Sequence, residues 1–315
     1  MDSSSSLPQT FAEAIAHLRV AVLQRFDAEI EKKHLHYHNR SHIACLQQRA
    51  DRLFDAVAPI LFPNDEQRDR HKQLLNLSIA AHDMVQIFSE PVPAFSSRRR
   101  EAGVSERATI ERLRHLVWVQ NQQISTHHPG SSALLSPVDV QMLEGAIAAT
   151  VCHYDPADQG LFQPALYSTT HAPSVVARLL ALADLGALGM DGIEVYRWED
   201  SLLFLEENLD VVKLLQIYPS DRLVQDNPTR AENLRQRLLR RARFQVTFAQ
   251  SRLARLPAEL SGLPPAAQAA IATEFRHLTP ETVSTIEATT PVEDDLPLLK
   301  LIQFFRLTDY IQLAE

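Results

Sequence analysis

An apolar run, Leu74-Leu75-Asn76-Leu77-Ser78-Ile79-Ala80-Ala81, ends in His82-Asp83, and any fold of this chain has to accommodate that pair. A histidine and a carboxylate where a helix should be burying apolar surface carry a desolvation cost that folding alone does not explain. A divalent metal is the simplest compensation. It accepts a neutral imidazole and an ionised carboxylate together and turns buried charge into coordinated charge.

The rest of the chain reads as helix. Glycine is scarce, and Leu, Ala, Gln, Glu and Arg are abundant, which favours helices over strands. Phe11, Ile15, Leu18, Val22 and Phe26 recur at helical spacing, and Asn39 caps a helix predicted through Ile43, Leu46, Ala50 and Leu53 until Pro59. Asn64-Asp65-Glu66 opens the helix that carries His82-Asp83, and a loop follows from Pro91 to Gly103. Further helices are predicted from Ser105 to Gln122, from Ser136-Pro137 to His153, from Ser174 to Gly189, from Arg197 to Ile217 and from Arg230 to Leu256. The breaks fall at Thr126 to Ser132, Tyr154 to Ala172 and Asn227-Pro228. No strand pattern is strong enough to build a sheet, so an all-α protein is expected. Residues 1–10 read as a flexible tail, 11–217 as a helical metal-binding domain, and 218–315 as a helical extension. That extension either packs on the domain or mediates association, a homo-oligomer included. The apolar Leu298-Leu299-Leu301-Ile302-Phe304-Phe305-Leu307 should dock the C-terminus into a core.

Charge and cysteine usage narrow the setting. A net charge of -8 disfavours a nucleic-acid partner, although Arg98-Arg99-Arg100 and the group Arg237, Arg240, Arg241, Arg243 are local basic exceptions. Cys45 and Cys152 are too few for a disulfide scaffold and belong to no C-x-x-C motif. No stretch is apolar enough for a membrane span, and the N-terminus lacks the pattern of a signal peptide, so a cytoplasmic protein is expected.

Asp184 is a second polar residue in the wrong company. Its helical face also holds Val176, Ala177, Leu180 and Ala181, so the carboxylate projects from an apolar side. A backbone group or an arginine would satisfy it, as would solvent. A third polar cluster, Tyr37-His38-Asn39-Arg40-Ser41-His42, places a histidine in the first turn of a helix.

The order Tyr37-His38-Asn39-x-x-His42, then His82-Asp83, then Asp184 resembles the HD-domain superfamily of metal-dependent phosphohydrolases, over roughly Phe26 to Glu207. The resemblance implies an HD-domain-like helical bundle with His42, His82, Asp83 and Asp184 as metal ligands. Two imidazoles and two carboxylates leave open positions on one divalent ion, with Mn, Mg, Fe, Co, Ni and Zn all suitable. Such an ion acidifies a bound water and draws charge from a phosphoryl group. Asp83, ligating through one oxygen, would keep the other for that water.

Cyclic-nucleotide phosphodiesterases share the Tyr-His-Asn-x-x-His string, and similarity to them implies that His38 protonates the leaving oxygen. The alternative is a histidine that caps or packs the helix start. Those enzymes carry a second-metal histidine where this chain has Gln86, which argues against a full two-metal site. In one uncharacterised HD branch an acidic residue opens the helix after the variable loop. Glu106 stands at the matching place, where a glutamate also suits the helix dipole. One of Arg98, Arg99, Arg100 and Arg107 could bind phosphate, and His153 either lines the pocket or merely ends its helix. His34 and His36 read as surface or loop residues.

The expected function is hydrolysis of a phosphate ester of a nucleotide or another small phosphorylated metabolite by metal-activated water. The rival is a non-catalytic HD protein that keeps the metal for structure or ligand sensing and uses the C-terminal helices to bind a partner. An HD-fold oxygenase with two irons would need more ligands than this sequence supplies.

Overall fold

The computed structural model describes residues 7–89, 95–220 and 222–312. Residues 1–6 of the expected tail, and Pro91 and Pro93 of the expected loop, lie outside these. Helix follows helix through most of the chain, and the local chemistry shows why. Helix α1 (Phe11–Lys33) starts at a Thr10–Glu13 capping box, and its buried face is Ile15, Leu18, Val22 and Phe26. Helix α2 (Arg40–Leu61) starts where the Asn39 side chain accepts from the amides of Ser41 and His42. It continues past the expected stop with Pro59 inside its last turn. Helix α3 (Asp65–Ala81), capped by Asn64, ends directly before His82.

Helix α4 (Val104–His127) outlasts its predicted end. Helix α5 (Pro137–Ala148) begins at a Ser136–Asp139 capping box. Helix α6 (Val175–Asp184) stops short of Gly189, because Gly186 and a π-helical turn over Ala187–Asp191 redirect the chain there. The segment expected as one helix from Arg197 divides at Asn208 into α7 (Ile193–Glu207) and α8 (Leu209–Ile217). After α9 (Leu223–Asp226) comes the long α10 (Pro228–Leu260), then α11 (Pro265–Glu274), α12 (Pro280–Thr289), α13 (Leu298–Phe304) and α14 (Leu307–Gln312). No helix among the described residues is long and apolar enough to cross a membrane.

The expectation of a purely helical chain needs one correction. Within the stretch predicted as a loop after His153, strands β1 (His153–Asp155) and β2 (Gly160–Phe162) pair antiparallel, with Tyr154 opposite Leu161. His153 is therefore a strand residue and does not end a helix. Three residues per strand are too few to show an alternating pattern in sequence. What holds the hairpin is tertiary: Arg255 of α10 binds Asp155 at 2.6 Å and Asp158 at 2.7 Å. Ser251 of α10 lies so close to Gly160 that a Cβ there would be 2.2 Å from its Oγ.

Three apolar clusters carry the fold. One joins α1, α3, α4 and α5 through residues such as Leu18, Leu74, Leu113 and Leu143. A second joins α2 and α6 to the C-terminal half, with Leu53 and Leu180 sharing it with Ile271, Phe275 and Ile286. The third gathers α8, α10, α13 and α14 around Leu214, Leu238, Leu301 and Phe305, which docks the apolar C-terminal segment as its composition predicts. Each fully buried Leu or Phe in these clusters contributes roughly 1.5–3 kcal/mol relative to exposure. The C-terminal helices therefore pack against the helices that bear the predicted ligands.

One buried cation ties this scaffold to the site. Arg49 of α2 is fully buried; its Nε donates to Asp191 at 2.5 Å and its Nη2 to Glu199 of α7. Arg52, one turn on, also holds Asp191, at 2.8 Å. The clamp fixes α2, which carries His42, against α7. Arg49→Met is expected to cost about 3–5 kcal/mol, because Glu199 is left buried without a cation, with only the Tyr37 hydroxyl, among the described residues, donating to it at 3.5 Å. Urea unfolding would check this; a loss below about 1 kcal/mol would mean that the clamp is dispensable.

Candidate metal centre

Three helix ends converge. In the first turn of α2, the Asn39 cap sets His42, whose ring is buried with neither nitrogen hydrogen-bonded among the described residues. At the end of α3, His82 Nδ1 lies 2.9 Å from the Ile79 carbonyl oxygen. A carbonyl only accepts, so Nδ1 carries a hydrogen and Nε2 is the nitrogen that becomes available to a metal once the ring is neutral. Asp184 is the last residue of α6, where the chain turns away.

The donor atoms of His42, His82 and Asp184 all lie within 4.8 Å of one another. Asp184 Oδ1 is 3.8 Å from Nε2 of each histidine. Asp83 Oδ2 is 2.7 Å from His82 Nε2 and 3.4 Å from His42 Nε2. Ligands held at about 2.0–2.2 Å from one ion stand about 3–4 Å apart, so this spacing suits a single ion. The short His82–Asp83 approach does not have hydrogen-bond geometry, and His82 Nε2 remains a buried nitrogen without a partner. His42, His82 and Asp184 thus form a buried group able to hold a metal ion.

Electrostatics reflect the crowding. Burial alone would lower the His82 pKa, but the charges of Asp83 and Asp184 and the Ile79 carbonyl raise it to about 9. For Asp83, burial pushes the pKa up, and the imidazoles of His82, His38 and His42 more than reverse this, holding it well below the usual range. The second Asp83 oxygen joins a short chain of hydrogen bonds. Oδ1 accepts from Gln86 Nε2 at 2.9 Å, and Gln86 Oε1 accepts in turn from Arg100 Nη1 at 2.8 Å. Gln86 thus positions Asp83 through its amide.

His38 is buried beside the group, with Nε2 3.8 Å from Asp83 Oδ2. Its Nδ1 is hydrogen-bonded to Glu206, and Glu206 Oε2 also accepts the amides of Tyr37 and His38, each at 3.0 Å. Burial pushes the Glu206 carboxyl up, while the His38 ring, its two hydrogen bonds and Arg100 bring it down to about 2. Sequence reasoning missed this residue. Glu206-Glu207 at a helix end resembles a solvated terminus; the one available signal is that Glu199 and Glu206, seven apart, share a face.

These groups open onto a cavity of about 930 Å³ whose lining includes His38, Asp83, Asp184, Glu106 and His153. Glu106 stays outside the converging group, but its Oε2 is buried with no hydrogen-bond partner among the described residues. Among the loop arginines, Arg98 donates to the carbonyls of Glu206 and Lys33 and stacks on Phe88, so it bolts the loop in place. Arg99 and Arg100 line the cavity; Arg107 does not. His34 is exposed and His36 half-buried, as expected of loop positions. Cys152 lines the cavity, where burial pushes its thiol pKa up.

Comparison with models of known families, with curated proteins and with solved structures gave no match in any of the three.

Because His82 titrates near 9, a metal arriving at pH 7.5 must expel its proton. The apparent metal affinity is expected to rise roughly tenfold per pH unit from 6 toward 9 and then level off. Without metal the sign reverses: the raised pKa stabilises the fold below about pH 6.5, and this contribution is lost as pH rises through 9. Calorimetric titration with Mn in buffers of different ionisation enthalpy reads the released proton directly. A buffer-independent enthalpy would overturn the expected release of a proton from His82.

Proposed function

We propose that this chain is an HD-type phosphohydrolase that uses one divalent metal to hydrolyse a phosphate ester of a small, nucleotide-like substrate. The observation that carries the proposal is the set of buried imidazole nitrogens of His42 and His82, without hydrogen-bond partners among the described residues, facing the carboxylates of Asp83 and Asp184, which line a large cavity. The order of these residues along the chain, and its resemblance to the HD superfamily, point the same way.

His42, His82, Asp83 and Asp184 would hold Mn, Mg, Fe, Co, Ni or Zn, which when bound supplies an acidified water and positive charge for the phosphoryl oxygens. His38 is the proton donor in this reading. Glu206, ionised down to a pH of about 2, keeps the hydrogen on Nδ1, so the transferable proton sits on Nε2, the nitrogen nearest Asp83. The carboxylate thereby fixes the orientation and tautomer of the ring. Glu106, with an unpartnered oxygen on the cavity, is placed to accept a proton from water. Arg100 is anchored to Gln86 through one nitrogen and keeps further N–H donors for phosphate oxygens.

Purified protein is expected to retain a divalent metal and to turn over at least one of a panel of nucleoside monophosphates, triphosphates and cyclic nucleotides with Mn, Co, Ni or Mg added. Asp83→Ala should abolish turnover. His38→Ala should lower kcat by about 10²–10⁴ with metal content unchanged. Metal bound without turnover across the panel would overturn hydrolysis and favour a sensing role. Glu206→Gln should lower kcat while KM changes little, since the amide oxygen still accepts from the Tyr37 and His38 backbone but holds the ring tautomer less firmly than a carboxylate does.

A further inference from the structure

Five arginines line the cavity above the metal centre, and the fold engages three of them. Arg98 binds two carbonyls, Arg100 binds Gln86, and Arg237 forks onto Asp210 at 2.7 and 2.8 Å. Arg99 and Arg240 differ. Both are exposed, and neither guanidinium makes an ion pair or hydrogen bond among the described residues, although Glu101 lines the same cavity.

Their backbones, however, are held firmly. Ser89 donates to the Arg99 carbonyl from its amide at 2.8 Å and from its hydroxyl at 3.0 Å. On α10, Arg240 lies between Arg237, bound to Asp210, and Arg241, bound to Asp200 at 2.6 Å. Two cations that folding leaves unpaired are thus presented by rigid backbone at one opening, on a chain of net charge -8. Exposure also separates the lining residues: His38 is 2% exposed, whereas Arg99 and Arg240 lie open to solvent.

We propose that Arg99 and Arg240 form a second anion subsite, so that the substrate carries a phosphate at the mouth of the cavity as well as the one at the metal. The substrate class is then a phosphate ester with two separate phosphate groups. The identity of the inner phosphate rests on the phosphohydrolase reading; the outer subsite follows from the arginines alone. Planar guanidinium forks suit this role, because each can give two parallel hydrogen bonds to phosphate oxygens. The subsite also gives α10 a part in recognition. Tyr154, 56% exposed on the same cavity, offers a ring face for the group between the phosphates.

The test compares adenosine 5′-monophosphate with adenosine 3′,5′-bisphosphate and inorganic phosphate by calorimetry on the Mn-loaded His38→Ala protein, in which turnover is slow enough to leave the nucleotides intact. The bisphosphate should bind at least about tenfold more tightly than the monophosphate, with an advantage that shrinks as salt rises. Adding Arg99→Gln and Arg240→Gln should remove that advantage and leave monophosphate and Mn affinity unchanged; Arg240→Lys should restore part of it. Both residues are exposed and unpaired, so folding is not at risk. A retained bisphosphate advantage in the double variant, or none in its parent, overturns the subsite while the hydrolase reading stands. If inorganic phosphate and monophosphate fail to bind but the bisphosphate binds in an arginine-dependent way, the subsite holds and the hydrolase reading falls. Binding of none of the three overturns both.

Discussion

Three imidazole nitrogens lie within 3.8 Å of one carboxylate oxygen, Asp83 Oδ2, and the architecture around it exists to keep them there. Such a cluster is not self-sufficient. Buried lone pairs facing one another repel, and the positive charge that reconciles them has to come from bound protons or from a metal. The nearby structure absorbs that tension through fixed contacts. Asn39 caps α2, Ile79 orients His82, Gln86 and Arg100 hold Asp83, and Glu206 holds His38. Remove these and the donors have no reason to share one small volume.

The cluster also explains why the helices beyond Glu207 matter to it. Helix α10 grips the β-hairpin that carries His153 and Tyr154, pairs with Asp200 and Glu207 through Arg241, and lines the cavity with Arg237 and Arg240. Helix α7 presents Glu206 to His38 and is itself held against α2 by Arg49. The helices that carry His42, His82 and Asp184 share one apolar cluster with the C-terminal helices, so disturbance of either reaches the candidate site through packing.

Much of the helical framework was legible residue by residue. Thr10, Asn39, Asn64, Ser136 and Ser174 all cap helices, because side-chain oxygens in those positions satisfy amides that the first turn leaves open. Helix ends were less legible. Pro59 and Pro257 sit within helices, and Asn208 divides α7 from α8, since burial on both sides outweighs local preference. The hairpin at His153 was invisible for a similar reason: its strands are too short for periodicity and depend on Arg255, a hundred residues away in sequence.

Sequence by itself determined which residues are costly to bury, namely His42, His82, Asp83 and Asp184, because a polar group in an apolar helical face is anomalous wherever the helix ends up. It also determined that helices would dominate. Only the tertiary structure decided that three helix ends meet within a few ångströms, that Gln86 supports Asp83 through its amide, and that Glu206 sits behind His38. It likewise separated the arginines that hold the fold from the two left facing the cavity. The physical reason is range: capping and periodicity act over a turn or two of helix, whereas pairing of buried charges depends on which distant segments pack together.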